Sequence, residues 1–462
     1  MKRLFLVPAL AAALLALLAA PAFASPRTFY VHPSGGNDTK AIQNAFNAAV
    51  AAGPGSTVQL TAGHFTINDI LVSGFQGTFR GAGEGRTVID CPPDGVTVRT
   101  VDVPQLGPTS TAFLLGFQDS AVRVTDLSFD ITPPNPAQWP DGYDALAEVV
   151  CFIGDTGAAM DRVAFSGGPG DQNGFFGANT DQSVLVVPDT INAGGVYTAQ
   201  GCTFATSEGY VPWLLSGAHI DLQGNTFVSE GVACGLFDLS ASQATVTDNR
   251  FRNGNPIGNP TFYSAGVTIE QDNGLGLAAS RYLVSDNCFK VGPPADAVDL
   301  FDFGPANGEG QLIKAVVSHN TVVLNGSLAL SFFQSPGGIG EYDAQNVSVL
   351  ANRFSGTGGA AIYLGTSYNG DDAADSVSGW RIIGNDVRGV TAVPQSGGGP
   401  GAPIWLGPGT DHCLVVGGPR PTYVLDQGSG NILINATRVG DPPAAASAPT
   451  NSLKQLKGMM LP

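Results

Sequence analysis

Three acidic residues, Asp238, Glu270 and Asp299, sit on short apolar segments where side chains of opposite character alternate. In SAGVTIEQD, residues 264–272, alternation predicts that Val267 and Ile269 face a core while Thr268 and Glu270 face out. In DAVDLFDF, residues 296–303, Val298 and Leu300 are expected inside and Asp299 and Phe301 outside. The same reading places Ser331 and Phe333 of LALSFFQ, Tyr363 of AAIYLG and Trp405 of APIWLG on that outer face. A Pro-rich loop, ITPPNPAQWPDGY, carries Trp139 and Tyr143 and is a candidate wall beside it.

Carboxylates beside exposed aromatic rings suit a saccharide, because rings stack on sugar faces and acids donate or accept the proton that bond cleavage requires. If the Glu270 and Asp299 segments are neighbouring strands, these residues are one strand and one outward step apart, with backbones about 8 Å from each other. That lies within the roughly 6.5–9.5 Å carboxyl separation of inverting glycosidases. Elimination instead needs a cation beside a uronate. Lys314, Arg281 and His319 are the nearest basic residues in sequence, and Ca2+ could serve through Asp299 and Asp302 or through Asp371, Asp372 and Asp375. Neither acidic set has a diagnostic spacing. A solvated strand face with incidental aromatics is the plain alternative, and the His residues at 64, 219, 319 and 412 are scattered singly.

A repeat must position these residues. VSDNCF, ending at Phe289, recurs in outline as LQGNTF ending at Phe227, TVTDNRF at Phe251, VSHNTV at Val322, VLANRF at Phe354 and IIGNDV at Val387. Successive marks lie 24, 38, 33, 32 and 33 residues apart. Such a period, with a strand in every unit, indicates a solenoid rather than one globular core. VRVTDLSF at Phe129 and GCTF at Phe204 keep the outline without the Asn, and Cys202 stands in its place. The Asn is expected to take left-handed backbone angles in a tight turn and to ladder from coil to coil, with the apolar residue two places on pointing inward. The fold expected is an all-β, single-stranded, right-handed parallel β-helix over residues 25–440. Asn37 and Asp38 are expected to cap a helix from Thr39, with Ile42, Phe46, Ala49 and Val50 on one face, covering the first coil.

The segment GGNDTKAIQNAFNAAVAAGPGSTVQLTAGHF, followed by FRGAGEGRTVI at 79–89, resembles the opening of pectin lyase-like proteins. That superfamily of right-handed parallel β-helices includes secreted polysaccharide lyases, glycoside hydrolases and epimerases, so the resemblance implies this fold and a carbohydrate substrate. No subfamily signature carries over. Asn179-Thr180-Asp181 and Arg381-Ile382-Ile383 echo parts of the polygalacturonase pattern without the rest, and Asp411-His412 lacks the Trp-Ile context of pectate lyases.

Residues 1–24 read as a secretory signal peptide: Lys2 and Arg3 precede an apolar run, and Ala22-Phe23-Ala24 is a small-residue cleavage site. The net charge of −17 disfavours nucleic acid and anionic membrane, and no other apolar run approaches the ~20 residues that span a bilayer. Six cysteines permit fifteen disulfide pairings, none preferred by spacing. Residues 441–462 read as a flexible tail. Two functions remain: a secreted, monomeric enzyme that cuts a polysaccharide by hydrolysis or elimination, or a β-helix that binds glycans or serves at the cell surface without catalysis.

Overall fold

The computed structural model describes residues 25–92, 97, 99–103, 107–131, 146–153, 157–167, 182–188, 196–206, 213–215, 219–229, 243–253, 264–272, 281–292, 295–303, 314–325, 339–342, 346–364, 377–393, 401–418 and 422–440. Strands separated by about one repeat pair in parallel, giving a solenoid of stacked coils. In the regular coils two strands, either side of a tight turn, join a 23-stranded sheet. The third side is a six-stranded sheet in the N-terminal half and a seven-stranded sheet in the C-terminal half. Arg99–Val103 is an exception, pairing antiparallel with Gly107–Gln118.

The apolar mark of the repeat faces the core as the alternation requires. Phe204, Phe227, Phe251, Phe289, Val322 and Phe354 occupy one register column. The rings stack nearly parallel, with centroids 4.9 Å apart at Phe204–Phe227 and 4.7 Å apart at both Phe227–Phe251 and Phe251–Phe289. Phe129 and Phe165 continue the stack toward the N-terminus, where the Asn is missing from the sequence. One identical position per coil therefore stacks like on like.

The Asn does a different job from the one its turn preference suggests. The left-handed angle falls on the residue before it: Gly224, Asp248, Asp286, His319, Ala351 and Gly384 have φ between 51° and 66°. The Asn itself turns inward and is buried. The Oδ1 of Asn249 accepts from the backbone N–H of Asn225 at 2.8 Å and from its Nδ2 at 3.0 Å, while Nδ2 of Asn249 donates to the Leu222 carbonyl at 2.9 Å. The pattern passes through Asn287, Asn320 and Asn352 to Asn385. Cys202 starts the ladder by donating its N–H to Asn225 Oδ1, and burial pushes its thiol up to about 11. Cys202 and Cys288 carry free thiols.

Ala351 is the residue of this set least suited to φ 51°, since a Cβ crowds the carbonyl in the left-handed region. Ala351→Gly is expected to stabilise the protein by about 0.5–1 kcal/mol, relief of strain exceeding the added chain entropy. A thermal midpoint unchanged or lowered in that variant would show the strain to be absent.

Helix α1, Thr39–Ala52, precedes the coils and buries Ile42, Ala45, Phe46, Ala49 and Ala52. Phe46 meets the rings of Phe75, Phe79 and Phe117 at 5.2, 5.1 and 5.8 Å. Val50 is exposed instead of sharing that face. Asp38 occupies the N-cap without capping through its side chain; its Oδ1 accepts from the Ser34 N–H, and Asn37 Oδ1 accepts from Thr39 N–H. Toward the C-terminal coils, Asp426 lies buried in register with Leu406 and pairs with Arg438 and Asn431.

Asp386 and Arg388 form an ion pair near the last Asn turn, and that guanidinium holds the Asp386 carboxyl at about 2, below its ordinary 3.8. A depressed carboxylate stabilises above its unfolded pKa, and the contribution fades as pH falls from near 4 toward 2. The pair is exposed, so Asp386→Asn should change stability at pH 7 by only ~0.5 kcal/mol. The wild-type and variant stability curves should converge as pH falls to about 2 in acid titrations.

Candidate functional site

The seven-stranded sheet holds Glu270 and Asp299, two of the three predicted carboxylates. Its first strands, Ser264–Asp272 and Ala295–Phe303, pair with Val267 opposite Val298 and Ile269 opposite Leu300, and all four are fully buried. The alternate positions follow from the same register. Thr268 stands opposite Asp299 and Glu270 opposite Phe301. Glu270 and Asp299 are diagonal neighbours across one strand pair, which puts their backbones about 7–8 Å apart.

The third strand departs from expectation. Ile339–Tyr342, a four-residue strand, hydrogen-bonds to the Asp299 strand, whereas the apolar run LALSFFQ, with Phe333, lies outside the described residues. Gly340 follows Asp299 and Tyr342 follows Phe301 in register. The row Glu270, Phe301, Tyr342 therefore adjoins the row Thr268, Asp299, Gly340. Thr268 and Tyr342 join the candidate site through this register. Tyr342 could have been found only by recognising a strand inside GGIGEY, where glycine masks the signal.

Farther along, Ile362, Ile404 and Val424, in register with position 339, form an inward column, and Tyr363, Trp405 and Leu425 the adjacent outward one. Tyr363 and Trp405 are thus on the predicted side. Their expected exposure is not found: Tyr363 is 3% and Trp405 9% exposed. The two rings lie 4.3 Å apart and pack with Ala360, Ala402 and Leu425 in a cluster separate from the main core. Trp405 Nε1 donates to Gln427 Oε1 at 2.8 Å, so its polar edge is satisfied within the chain. A large ring with this cover contributes packing first. Trp405→Ala is expected to cost about 3–5 kcal/mol, seen as a lowered unfolding midpoint, and a variant with parental stability would refute that role.

Asp238 and Trp139 lie outside the described residues, as do Asp371, Asp372 and Asp375. Among the described residues no three His, Cys, Asp or Glu side chains gather to hold a metal. The strands 264–272, 295–303 and 339–342 carry Glu270, Asp272, Asp296, Asp299, Asp302 and Glu341 and no basic residue. Lys314 and Arg281, the cations nearest in sequence, lie on the 23-stranded sheet. His319 is exposed at the left-handed turn position of its coil. Chemically, these three strands can donate and accept protons and hydrogen-bond hydroxyl groups; they carry no fixed positive charge for a carboxylate.

No protein-family model matches the sequence. The curated proteins contain no match either. Among solved structures, the family 28 exopolygalacturonase of Yersinia enterocolitica is similar, with a TM-score of 0.53 at 9% identity over 91% of this chain and 79% of that one. The mannuronan C-5 epimerase A-module of Azotobacter vinelandii gives a TM-score of 0.49 at 14% identity, over 88% of this chain and 96% of that one. At such identities the likeness concerns the fold. It is the right-handed parallel β-helix.

Proposed function

We propose, on the premise of a pectin lyase-like β-helix, that this is a secreted carbohydrate-active protein that hydrolyses a neutral polysaccharide on the outer face of its seven-stranded sheet. The observation that carries the reading is the diagonal placement of Glu270 and Asp299, beside the Phe301 and Tyr342 positions. One carboxylic acid would protonate the glycosidic oxygen while the other, as carboxylate, takes a proton from the attacking water. In this reading the two carboxyl groups stand far enough apart to admit that water, which corresponds to inversion at the anomeric carbon. Asp238 is proposed as a further carboxylate in the preceding coil, with Phe301, Phe333 and Trp139 as sugar platforms. Tyr363 and Trp405 would form the packed end of the row.

Hydrolysis is favoured over elimination because the acidic strands supply no cation to neutralise a uronate. A polyuronate would need a bridging cation such as Ca2+ on this face, whereas a neutral glycan would not. Export through residues 1–24 and action as a monomer belong to the same proposal.

A panel of neutral and uronic polysaccharides tests it. New reducing ends without ultraviolet-absorbing products are expected on a neutral member, with no loss on chelation. Unsaturated products would assign elimination instead, and glycan binding without turnover would favour the non-catalytic reading.

A further inference from the structure

The coils that place acids on one side collect cations on another. Between residues 243 and 392, the strands of the 23-stranded sheet and the Asn turns they flank carry eight Lys and Arg residues and three aspartates, in a chain whose net charge is −17. The basic residues are scattered about one repeat apart in sequence, so no basic run appears there. Stacking brings them together. On one flank of the turn Arg281 stands directly opposite Lys314, and on the other Arg252 stands opposite Lys290. Arg250 and Arg353 extend the second flank, and all six side chains are exposed.

The like-charged pair Arg281–Lys314, in direct cross-strand register, is unfavourable in the isolated protein. Among the described residues, Arg250, Arg281, Lys290 and Lys314 have no carboxylate at ion-pair distance. With strands ~4.8 Å apart, cations recur in every coil over about 19 Å of solenoid axis. The periodic array matches a linear polyanion lying along the axis. No exposed outward position in these strands is aromatic, so the surface lacks the ring platforms on which single-stranded nucleic acid bases stack. Charge recognition without ring stacking fits a carboxylated or sulfated polysaccharide.

We propose that this basic face is a docking surface for an anionic polysaccharide, separate from the acidic sheet and independent of its chemistry. The net negative charge of the chain conceals it, because the two charge distributions lie on different sides of each coil. Binding here would hold the protein on an anionic matrix while the acidic face engages a different, neutral chain.

Affinity electrophoresis of the full chain in gels containing polygalacturonate, alginate or a neutral glucan tests this. At low ionic strength the protein should be retarded by the two polyuronates and not by the glucan. Affinity should fall about tenfold or more as salt is raised to screen contacts between exposed charges. The variant R250A/R281A/K290A/K314A, altered only at exposed positions, should keep the parental thermal midpoint and lose at least tenfold in affinity. The double variant E270Q/D299N should be retarded as the parent is, which separates this face from the proposed catalytic one. Equal retardation of the parent and the fourfold variant, or none of the parent, overturns the proposal. Tighter binding to a single-stranded oligonucleotide than to either polyuronate overturns its assignment to a polysaccharide.

Discussion

Asn320→Ala is expected to destabilise the solenoid by about 3–5 kcal/mol, because it orphans several buried groups at once. Asn320 Oδ1 accepts from the N–H and the Nδ2 of Asn287 at 2.9 and 3.0 Å. Its own Nδ2 donates to the Val284 carbonyl and to Asn352 Oδ1, each at 2.9 Å. Alanine removes all four bonds, and its small side chain lets no other polar group replace them. Coils in a solenoid are stabilised by their immediate neighbours, so a gap at Asn320 weakens the junction between the halves of the ladder. Asn320→Asp should be worse near neutral pH, since it keeps the acceptor but buries a charge. That penalty should shrink as acid neutralises the new carboxyl. Urea unfolding followed by circular dichroism reads both effects; a shift in Asn320→Ala worth less than about 1 kcal/mol would mean that water or backbone adjustment replaces the ladder.

Glu270→Gln and Asp299→Asn should each lower turnover on a cleaved neutral glycan by about 100- to 10,000-fold, the usual scale for loss of a general acid or base. Both substitutions keep volume and leave the inward neighbours Ile269, Val298 and Leu300 in place, so the unfolding midpoint should stay near the parental value. The variant lacking the general base should be rescued in part by a small anion such as azide, which needs no deprotonation. The variant lacking the acid should recover on substrates with good leaving groups. Near-parental rates in both would remove this pair from the mechanism. Loss of activity with loss of fold would leave Glu270→Asp, which preserves the charge but shortens the reach, as the discriminating variant: an acid/base role requires its rate to fall without a matching fall in stability.

Much of this architecture was legible because a β-helix writes its period into the chain. Phe289 and its counterparts could be aligned along the chain, and the alternation around Val267, Ile269, Val298 and Leu300 put Glu270 and Asp299 one strand and one outward step apart, as their register has them. Reading failed where sequence and strain separate. The invariant Asn drew attention to itself, yet the strained angle belongs to the preceding residue, which varies among Gly, Asp, His and Ala. Constancy came instead from the ladder, since only a primary amide both donates to one coil and accepts from another in this geometry. The strand at Ile339–Tyr342 was hidden because its glycines lack strand propensity, while the apolar run before it has that propensity in abundance. Tyr363 and Trp405 could be assigned an outward direction from alternation alone. Their cover could not, because burial on the outside of a coil depends on side chains from neighbouring coils rather than on the strand's own pattern. The basic face was invisible for a related reason: Arg281 and Lys314 lie 33 residues apart in the chain and directly opposite each other in the sheet.

The most direct measurement is a crystal structure of the Glu270→Gln variant soaked with an oligosaccharide of the neutral glycan that the parent cleaves. The account predicts a sugar chain across the strands 264–272 and 295–303, with the scissile oxygen between residues 270 and 299 and a ring over the Phe301 position. Sugar bound elsewhere on the solenoid, with that face bare, would contradict it.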